Sequence, residues 1–129
     1  MTAQAMSPNH MTPNKRTVET YMEGFRTTDR ALILSCLTDD VEWVLPGVFH
    51  VQGKHDFEGH IVDEGFAGHP EIRISRLVEE GDVVVAEGSV RAPKTDGSVL
   101  NLIFCDVFDM RDAKIRRLVS YLSILNSTT

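Results

Sequence analysis

The second half of the chain alternates apolar and polar residues over long stretches, and short turn-forming sequences interrupt the alternation three times. These turns lie at 79–82, 94–97 and 111–113, and the first two contain the Gly and Asp that tight hairpins favour. A period of two is typical of half-buried strands. The pattern predicts consecutive strands at about 71–78, 83–91, 98–110 and 114–125. Strands joined in this way form an antiparallel meander.

The first half has helical periodicity instead. An apolar stripe at a spacing of three and four residues predicts a helix over 15–27. The stripe consists of Val18, Tyr21, Met22 and Phe25. The other predicted elements are a short helix capped by Asp29 and closed by a turn at Asp39 and Asp40, strands at 41–45 and 50–52, and a helix at 54–66.

These elements predict an α+β fold, in which three N-terminal helices pack on one face of a curved, mostly antiparallel sheet. We expect a cone with a central cavity. The chain of 129 residues is long enough for one domain with a real core, which we place at 14–126. Residues 1–13 contain prolines and polar residues and are predicted to form a flexible leader.

Charge and composition exclude several classes of partner. The net charge of −6 provides no basic field for a phosphate backbone, so we predict no nucleic-acid ligand. No apolar run is long enough to span a membrane or to resemble a signal peptide, which favours the cytoplasm. Cys36, Cys105 and the histidines have no metal-ligand spacing, so we predict neither a metal nor another cofactor.

The predicted strand at 98–110 is apolar on both faces. Leu102, Phe104 and Phe108 share one face, whereas Ile103, Cys105 and Val107 share the other. The helices can cover only one of these faces. We therefore predict a homodimer in which a second subunit covers the face of Ile103.

Asp106 interrupts the face of Leu102, Phe104 and Phe108. A carboxylate buried there would need a partner or a pocket, because its desolvation is costly. Burial raises the pKa of such a group, and a neutral carboxyl is a hydrogen-bond donor. Asp106 is thus a candidate functional group. The alternative is a structural acid that is bonded to the backbone or to a basic neighbour.

Three segments carry a family resemblance: DDVEWVLPG at 39–47, GKHDFEGHI at 53–61, and CDVFDMRDAKIRRLVSYL at 105–122. In this order and spacing, over about 15–125, the chain resembles the SnoaL-like branch of the NTF2-like superfamily. The superfamily includes ketosteroid isomerases, polyketide cyclases, epoxide hydrolases and proteins with no catalytic role. The resemblance thus implies a cone-shaped fold and leaves open whether this chain is an enzyme.

Compared with the ketosteroid isomerases, Tyr21 and Asp106 match the tyrosine and aspartic acid of the oxyanion hole. Leu45, before Pro46, stands where that family has its general-base aspartate, and leucine cannot accept a proton. Isomerase-type proton transfer would then need His60 or Glu87 as the base. Compared with the cyclases and hydrolases, Ser120 replaces the last strand's aspartate, so these activities are disfavoured.

The candidate catalytic residues are therefore Asp106, Tyr21, His60 and Glu87. Each has a structural alternative: Tyr21 in the core, His60 at a rim, and Glu87 exposed and paired with Arg91. The predicted walls of the ligand pocket are Trp43, Leu45, Phe57, Ile61, Phe66, Phe104 and Ser120. We expect a pocket for a small carbonyl-bearing or polycyclic molecule, and the competing hypothesis is a non-catalytic binding or scaffold module.

Overall fold

The computed structural model describes residues 11–61 and 65–125. The described elements, in chain order, are α1 (Pro13–Thr27), α2 (Arg30–Ser35), β1 (Leu37–Leu45), β2 (Phe49–Gln52), α3 (Lys54–Glu58), β3 (Glu71–Glu80), β4 (Val83–Pro93), β5 (Val99–Arg111) and β6 (Lys114–Ile124). The strands form one curved, open sheet in the order β2-β1-β6-β5-β4-β3.

The predicted meander is confirmed, because β3, β4, β5 and β6 pair in sequence and each pair is antiparallel. β1 and β2 pair antiparallel as well. The parallel pairing of β1 with β6, with Trp43 opposite Leu118, extends the meander into a six-stranded sheet. The sheet is thus mostly antiparallel and the fold is α+β, as predicted.

The prediction of three N-terminal helices is only partly correct. α1 has 15 residues, but α2 has six and α3 has five, and α3 follows β1 and β2 in the chain. The predicted turn at Asp39 and Asp40 is wrong, since both residues lie within β1. The third helix was predicted to reach residue 66 but ends at Glu58, and residues 62–64 lie outside the described part.

α1 begins at its capping residue Thr12, whose side chain accepts a hydrogen bond from the backbone N–H of Lys15. Pro13 follows in the first turn, where its missing N–H costs nothing. The helix therefore starts two residues before the predicted boundary. Residues 1–10 of the predicted leader lie outside the described residues.

Two hydrogen bonds fix α1 across the concave face of the sheet. The Thr17 hydroxyl donates to the carbonyl of Ala113 at 2.7 Å, and the Arg26 guanidinium donates to the carbonyl of Ile72 at 2.8 Å. The apolar core between the helices and the sheet has its most deeply buried members at Val18, Ile33, Val84, Phe108, Ile115 and Leu118, all with no exposed area. This anchoring places the Tyr21 side of α1 over β5.

None of the helices within 11–61 and 65–125 has the length and apolar character that a membrane span requires. The same part of the chain contains no cluster of three or more His, Cys, Asp or Glu side chains that could hold a metal ion.

Candidate active site

Asp106 lies in β5 on the concave face and is only 8% exposed. Its Oδ1 is buried and has no hydrogen-bond partner among the described residues. Burial raises the pKa of this carboxyl from 3.8 to about 7, because desolvation disfavours the charged form. An unpartnered polar atom in such a position is expensive, and functional sites are where proteins retain one.

Ser120 and Trp43 provide the polar groups next to Asp106. Ser120 stands directly opposite Asp106 in the pairing of β5 with β6. A side-chain hydrogen bond with Ser120 partly offsets the rise of the Asp106 pKa. The indole Nε1 of Trp43 donates to the Ser120 hydroxyl oxygen at 3.1 Å. This contact couples β1, through β6, to the environment of Asp106.

Tyr21 approaches the same place from α1. It is 3% exposed, and burial raises the pKa of its hydroxyl well above 10, with a further contribution from the nearby Asp106 carboxyl. Edge-to-face contacts hold the ring against Phe25 at 5.1 Å and Phe108 at 5.6 Å between centroids. The phenol thus stays protonated, and it is the second potential donor beside Asp106.

Both groups line a cavity of about 260 Å³, here called the Asp106 cavity. Among the described residues, Tyr21 and Asp106 are the titratable side chains that line it. The lining residues are Tyr21, Met22, Phe25, Trp43, Leu45, Phe49, Ile72, Val90, Leu102, Phe104, Asp106, Ser120 and Leu122. The wall is therefore largely apolar, and Asp106, Tyr21 and Ser120 contribute carboxyl and hydroxyl groups to it.

A second cavity of about 270 Å³ adjoins the first, and we call it the Phe66 cavity. The two share Phe25, Val90 and Leu102 as lining residues. Ile61 and Phe66, both predicted as pocket residues, line the second cavity and not the first. The predicted pocket walls are thus divided between two neighbouring spaces.

The structure brings together Tyr21, Asp106, Trp43, Leu45, Phe104 and Ser120 from the predicted set. Phe57 lies one layer deeper: it has no exposed area and stacks on Trp43 with ring centroids 4.5 Å apart. It supports the cavity wall without forming its surface.

The two candidate bases lie elsewhere. His60 is exposed, its Nδ1 lies 3.1 Å from the Asp56 carbonyl oxygen, and its ring packs behind Phe49 at 4.4 Å. Glu87 has the parity opposite to that of Asp106 and lies on the convex face, where Arg76 donates to its Oε1 at 2.9 and 2.6 Å. Neither residue lines the Asp106 cavity, so the geometry does not support either as a base for a ligand there.

Sequence reasoning missed several wall residues, including Phe25, Phe49, Ile72, Val90 and Leu122. A signal was present for Val90 and Leu122. Val90 pairs with Leu102, and Leu122 pairs with Phe104, so both share the concave face of their partners once the register is known. Phe25 belonged to the predicted helical stripe and was interpreted as core.

The arrangement of Asp106 and Tyr21 allows hydrogen-bond donation to a ligand and proton exchange. A neutral Asp106 and a protonated Tyr21 can each donate a hydrogen bond to an oxygen atom held in an apolar enclosure. A carboxyl with a pKa of about 7 can also gain or lose a proton near neutral pH. Leu45 contributes only an apolar surface to this cavity.

Solved structures share this fold. TerC, co-crystallised with polyporic acid, is 27% identical, with a TM-score of 0.76 over 87% of this chain and 92% of TerC. A putative polyketide cyclase from Xanthomonas campestris pv. campestris is 24% identical, with a TM-score of 0.76 over 84% of this chain and 89% of that one. An LEH-like epoxide hydrolase from M. tuberculosis is 20% identical, with a TM-score of 0.76 over 86% and 83%. The last two similarities establish a common fold only.

No curated protein matches the chain. The sequence profile of the SnoaL-like domain, however, matches residues 18–118, which extend from α1 into β6. The match includes Tyr21, Trp43 and Asp106 and confirms the resemblance found in the sequence. The chain belongs to the SnoaL-like domain family, within the NTF2-like superfamily.

Proposed function

We propose that this protein binds a small apolar molecule bearing a carbonyl or similar oxygen in the Asp106 cavity. The neutral Asp106 carboxyl donates a hydrogen bond to that oxygen, and the Tyr21 hydroxyl is the second donor. One observation carries the proposal: Asp106, whose Oδ1 is buried and has no hydrogen-bond partner among the described residues, lines a cavity whose other walls are mostly apolar. A ligand oxygen would satisfy the carboxyl and remove the cost of its burial.

The similarity to TerC supports a small organic ligand, since that relative was co-crystallised with polyporic acid. Two further neighbours are described as a putative polyketide cyclase and an LEH-like epoxide hydrolase, and their similarity to this chain lies in the fold. The choice of ligand class for this protein therefore rests on the chemistry of its own cavity walls.

A second candidate function is proton transfer by Asp106 itself. The observation that favours it is the pKa of about 7, at which the acid and its conjugate base are both populated near neutral pH. Isomerisation as in the ketosteroid isomerases would need a separate general base. Leu45 stands at the position that holds the base in that family. Binding alone requires only the donors that the cavity contains, and it is the simpler function.

The test compares Asp106→Asn with Asp106→Leu, using acetophenone as a carbonyl probe and ligand-observed NMR to measure Kd. Asn retains a donor of similar shape, so its affinity should stay close to that of the wild type. Leu removes the donor and should weaken binding by about 1 to 3 kcal/mol, or roughly 5- to 150-fold. Wild-type affinity should also fall as the pH rises through about 7, because an ionised Asp106 cannot donate.

Glu87→Leu is the matched control, because it removes a carboxylate from the neighbouring strand on the opposite face. It should leave the affinity for acetophenone unchanged. Equal loss in Asp106→Leu and Glu87→Leu, or carbon NMR showing an ionised Asp106 side chain at pH 5, would contradict the proposed role of Asp106.

We also propose that two copies pair through the convex face of the sheet. Ile103 is 47% exposed and Tyr121 is 53% exposed, on neighbouring strands. Cys105 stands opposite Tyr121, and Val107 continues the same face of β5. Stable homodimers commonly bury about 2,000 Å² or more in total. These four residues form an apolar patch, which provides a centre for such an interface.

Sedimentation at micromolar concentration should therefore give a dimer, and Ile103→Asp should convert it to a monomer. Val48→Asp is the control, since Val48 is 71% exposed in the turn between β1 and β2 and lies away from the patch. A monomeric wild type would refute the dimer.

We propose a cytoplasmic location, which the sequence also predicts. Cys36 and Cys105 are both free thiols, which agrees with a reducing compartment. Fractionation of the producing cells tests this, and recovery in an oxidising compartment would overturn it.

A further inference from the structure

We infer that the ligand is elongated and consists of two linked ring-sized apolar units with a hydrogen-bond-accepting oxygen at one end. The oxygenated unit occupies the Asp106 cavity and the second unit occupies the Phe66 cavity. This inference rests on the proposed function and adds the size, shape and polarity of the molecule.

The volumes of the two cavities provide the first argument. Pockets for drug-sized ligands commonly measure about 300 to 1,000 Å³. The Asp106 cavity has about 260 Å³ and the Phe66 cavity about 270 Å³, so neither reaches that range alone. The two together do. They share Phe25, Val90 and Leu102 as lining residues, so the two spaces are neighbours, and a molecule in both would pass beside these side chains.

The polarity of the walls differs between the two cavities, and this difference determines which end of the ligand lies in which cavity. The Asp106 cavity has Asp106, Ser120 and Tyr21 on its surface. Among the described residues, the lining of the Phe66 cavity includes no titratable side chain. Its one side-chain hydroxyl, that of Thr28, already forms a hydrogen bond with His69 Nδ1 at 2.9 Å. A molecule that spans both cavities is therefore matched best when its oxygen lies at the Asp106 end and its other end is purely apolar.

The outer wall of the Phe66 cavity is held in place at several points. The backbone N–H of Ala67 donates to the carbonyl of Pro93 at 2.9 Å, and that of Thr95 donates to the carbonyl of Gly65 at 3.0 Å. Phe66 forms an isolated bridge with Lys94, whose ammonium lies 6.0 Å from the centre of the Phe66 ring. With the Thr28–His69 contact at the other end, this wall is bonded to both α1 and β4. These bonds order residues 65–69 before a ligand binds, which reduces the ordering cost of binding there.

The experiment compares acetophenone with 4-acetylbiphenyl, which has the same carbonyl group and one more phenyl ring. The biphenyl ketone should bind the wild type about 20-fold more tightly, since six additional carbon atoms become buried. Ala92→Leu should abolish this advantage, because Ala92 lines only the Phe66 cavity and the longer side chain fills its empty space. The affinity for acetophenone should remain at the wild-type value, which also shows that the variant is folded.

Phe66→Ala is a second, independent variant. It removes part of the wall of the Phe66 cavity and leaves the Asp106 cavity intact. It should weaken binding of the biphenyl ketone at least threefold and leave acetophenone unaffected, so it decides the matter if Ala92→Leu fails to fold.

The outcomes separate this inference from the proposed function. If acetophenone binds through Asp106 and the biphenyl ketone binds no more tightly, the two-unit ligand is wrong and the proposed function stands. If neither ketone binds the wild type, the proposed function fails and this inference fails with it. If Ala92→Leu and Phe66→Ala leave the advantage of the biphenyl ketone intact, the second ring lies outside the Phe66 cavity and the inference is overturned.

Discussion

A carboxyl group has opposite surroundings on the two faces of the sheet. Asp106 and Glu87 lie on paired strands, where Asp106 stands opposite Ala86 and Glu87 stands opposite Cys105. On the concave face, Asp106 is 8% exposed, and its Oδ1 has no partner among the described residues. On the convex face, the Glu87 side chain is 41% exposed and paired with Arg76.

The difference shows that the face of the strand, more than the type of residue, determines what an acid can do here. Glu87 is partly exposed to solvent, and the Arg76 guanidinium donates to its carboxyl oxygen. Asp106 is buried, and desolvation raises its pKa to about 7. Only the concave face therefore provides a neutral carboxyl as a donor.

The largest expected effect concerns Asp106 and pH. Between about pH 4 and 7 the folded protein holds a proton on Asp106 that the unfolded chain has lost. The free energy of unfolding should therefore fall by about 1.4 kcal/mol for each pH unit across this window, relative to Asp106→Asn. The two proteins should be similar at pH 4, and the variant should be more stable by about 4 kcal/mol at pH 8.

Urea unfolding of both proteins at several pH values measures this difference. Glu87→Gln is the control and should show no such divergence from the wild type. Parallel pH profiles for the wild type and Asp106→Asn would mean that Asp106 ionises at the same pH in both states and that the contrast between the two faces is wrong.

A smaller effect is expected on the concave face at Gly88, which pairs with Phe104. A Cβ added there would lie 2.0 Å from the Arg73 carbonyl oxygen and 2.8 Å from the Phe104 ring. The backbone contact cannot relax by a side-chain rotation, and Phe104 is part of the Asp106 cavity wall. Gly88→Ala should cost about 3 kcal/mol in thermal or urea unfolding.

Gly59→Ala is the control for that substitution. Gly59 has a φ of −63°, and its added Cβ would make only an ordinary contact at 3.5 Å. This variant should be as stable as the wild type. If both glycine variants lose the same stability, the crowding at Gly88 does not explain its presence.

The smallest effect belongs to the convex face. Glu87→Gln breaks the charge pair with Arg76, which lies largely in solvent. The loss in unfolding free energy should stay below about 1 kcal/mol and should shrink further in high salt. A loss of several kcal/mol would show that Glu87 is more than a surface anion.

The meander was predictable because each hairpin leaves a local signal in its turn, and alternation then assigns Leu102, Phe104 and Asp106 to one face. The same rule did not place Glu87, because the register between β4 and β5 and the identity of the concave face are tertiary properties. Glu87 was predicted as an exposed acid paired with Arg91, or as a pocket group; it pairs with Arg76, and Arg91 pairs with Glu71.

Only part of the candidate site could be predicted from the sequence, for a similar reason. Asp106 was visible as an acid within an apolar face, and Tyr21 through the family resemblance. The exclusion of His60 depends on where a short helix ends, and helix boundaries are weakly encoded. The division of the pocket into two cavities depends on the wall around Phe66, which is set by contacts with Lys94 and Pro93 far along the chain.

The parallel pairing of β1 with β6 has a consequence for how the protein folds. Trp43 and Ser120 are 77 positions apart, yet their contact closes one side of the Asp106 cavity. Contacts between distant positions carry a large loop-closure entropy and slow the search for the native topology. On the ribosome, β1 acquires this neighbour only after β6 has emerged, so the binding site is not complete before then.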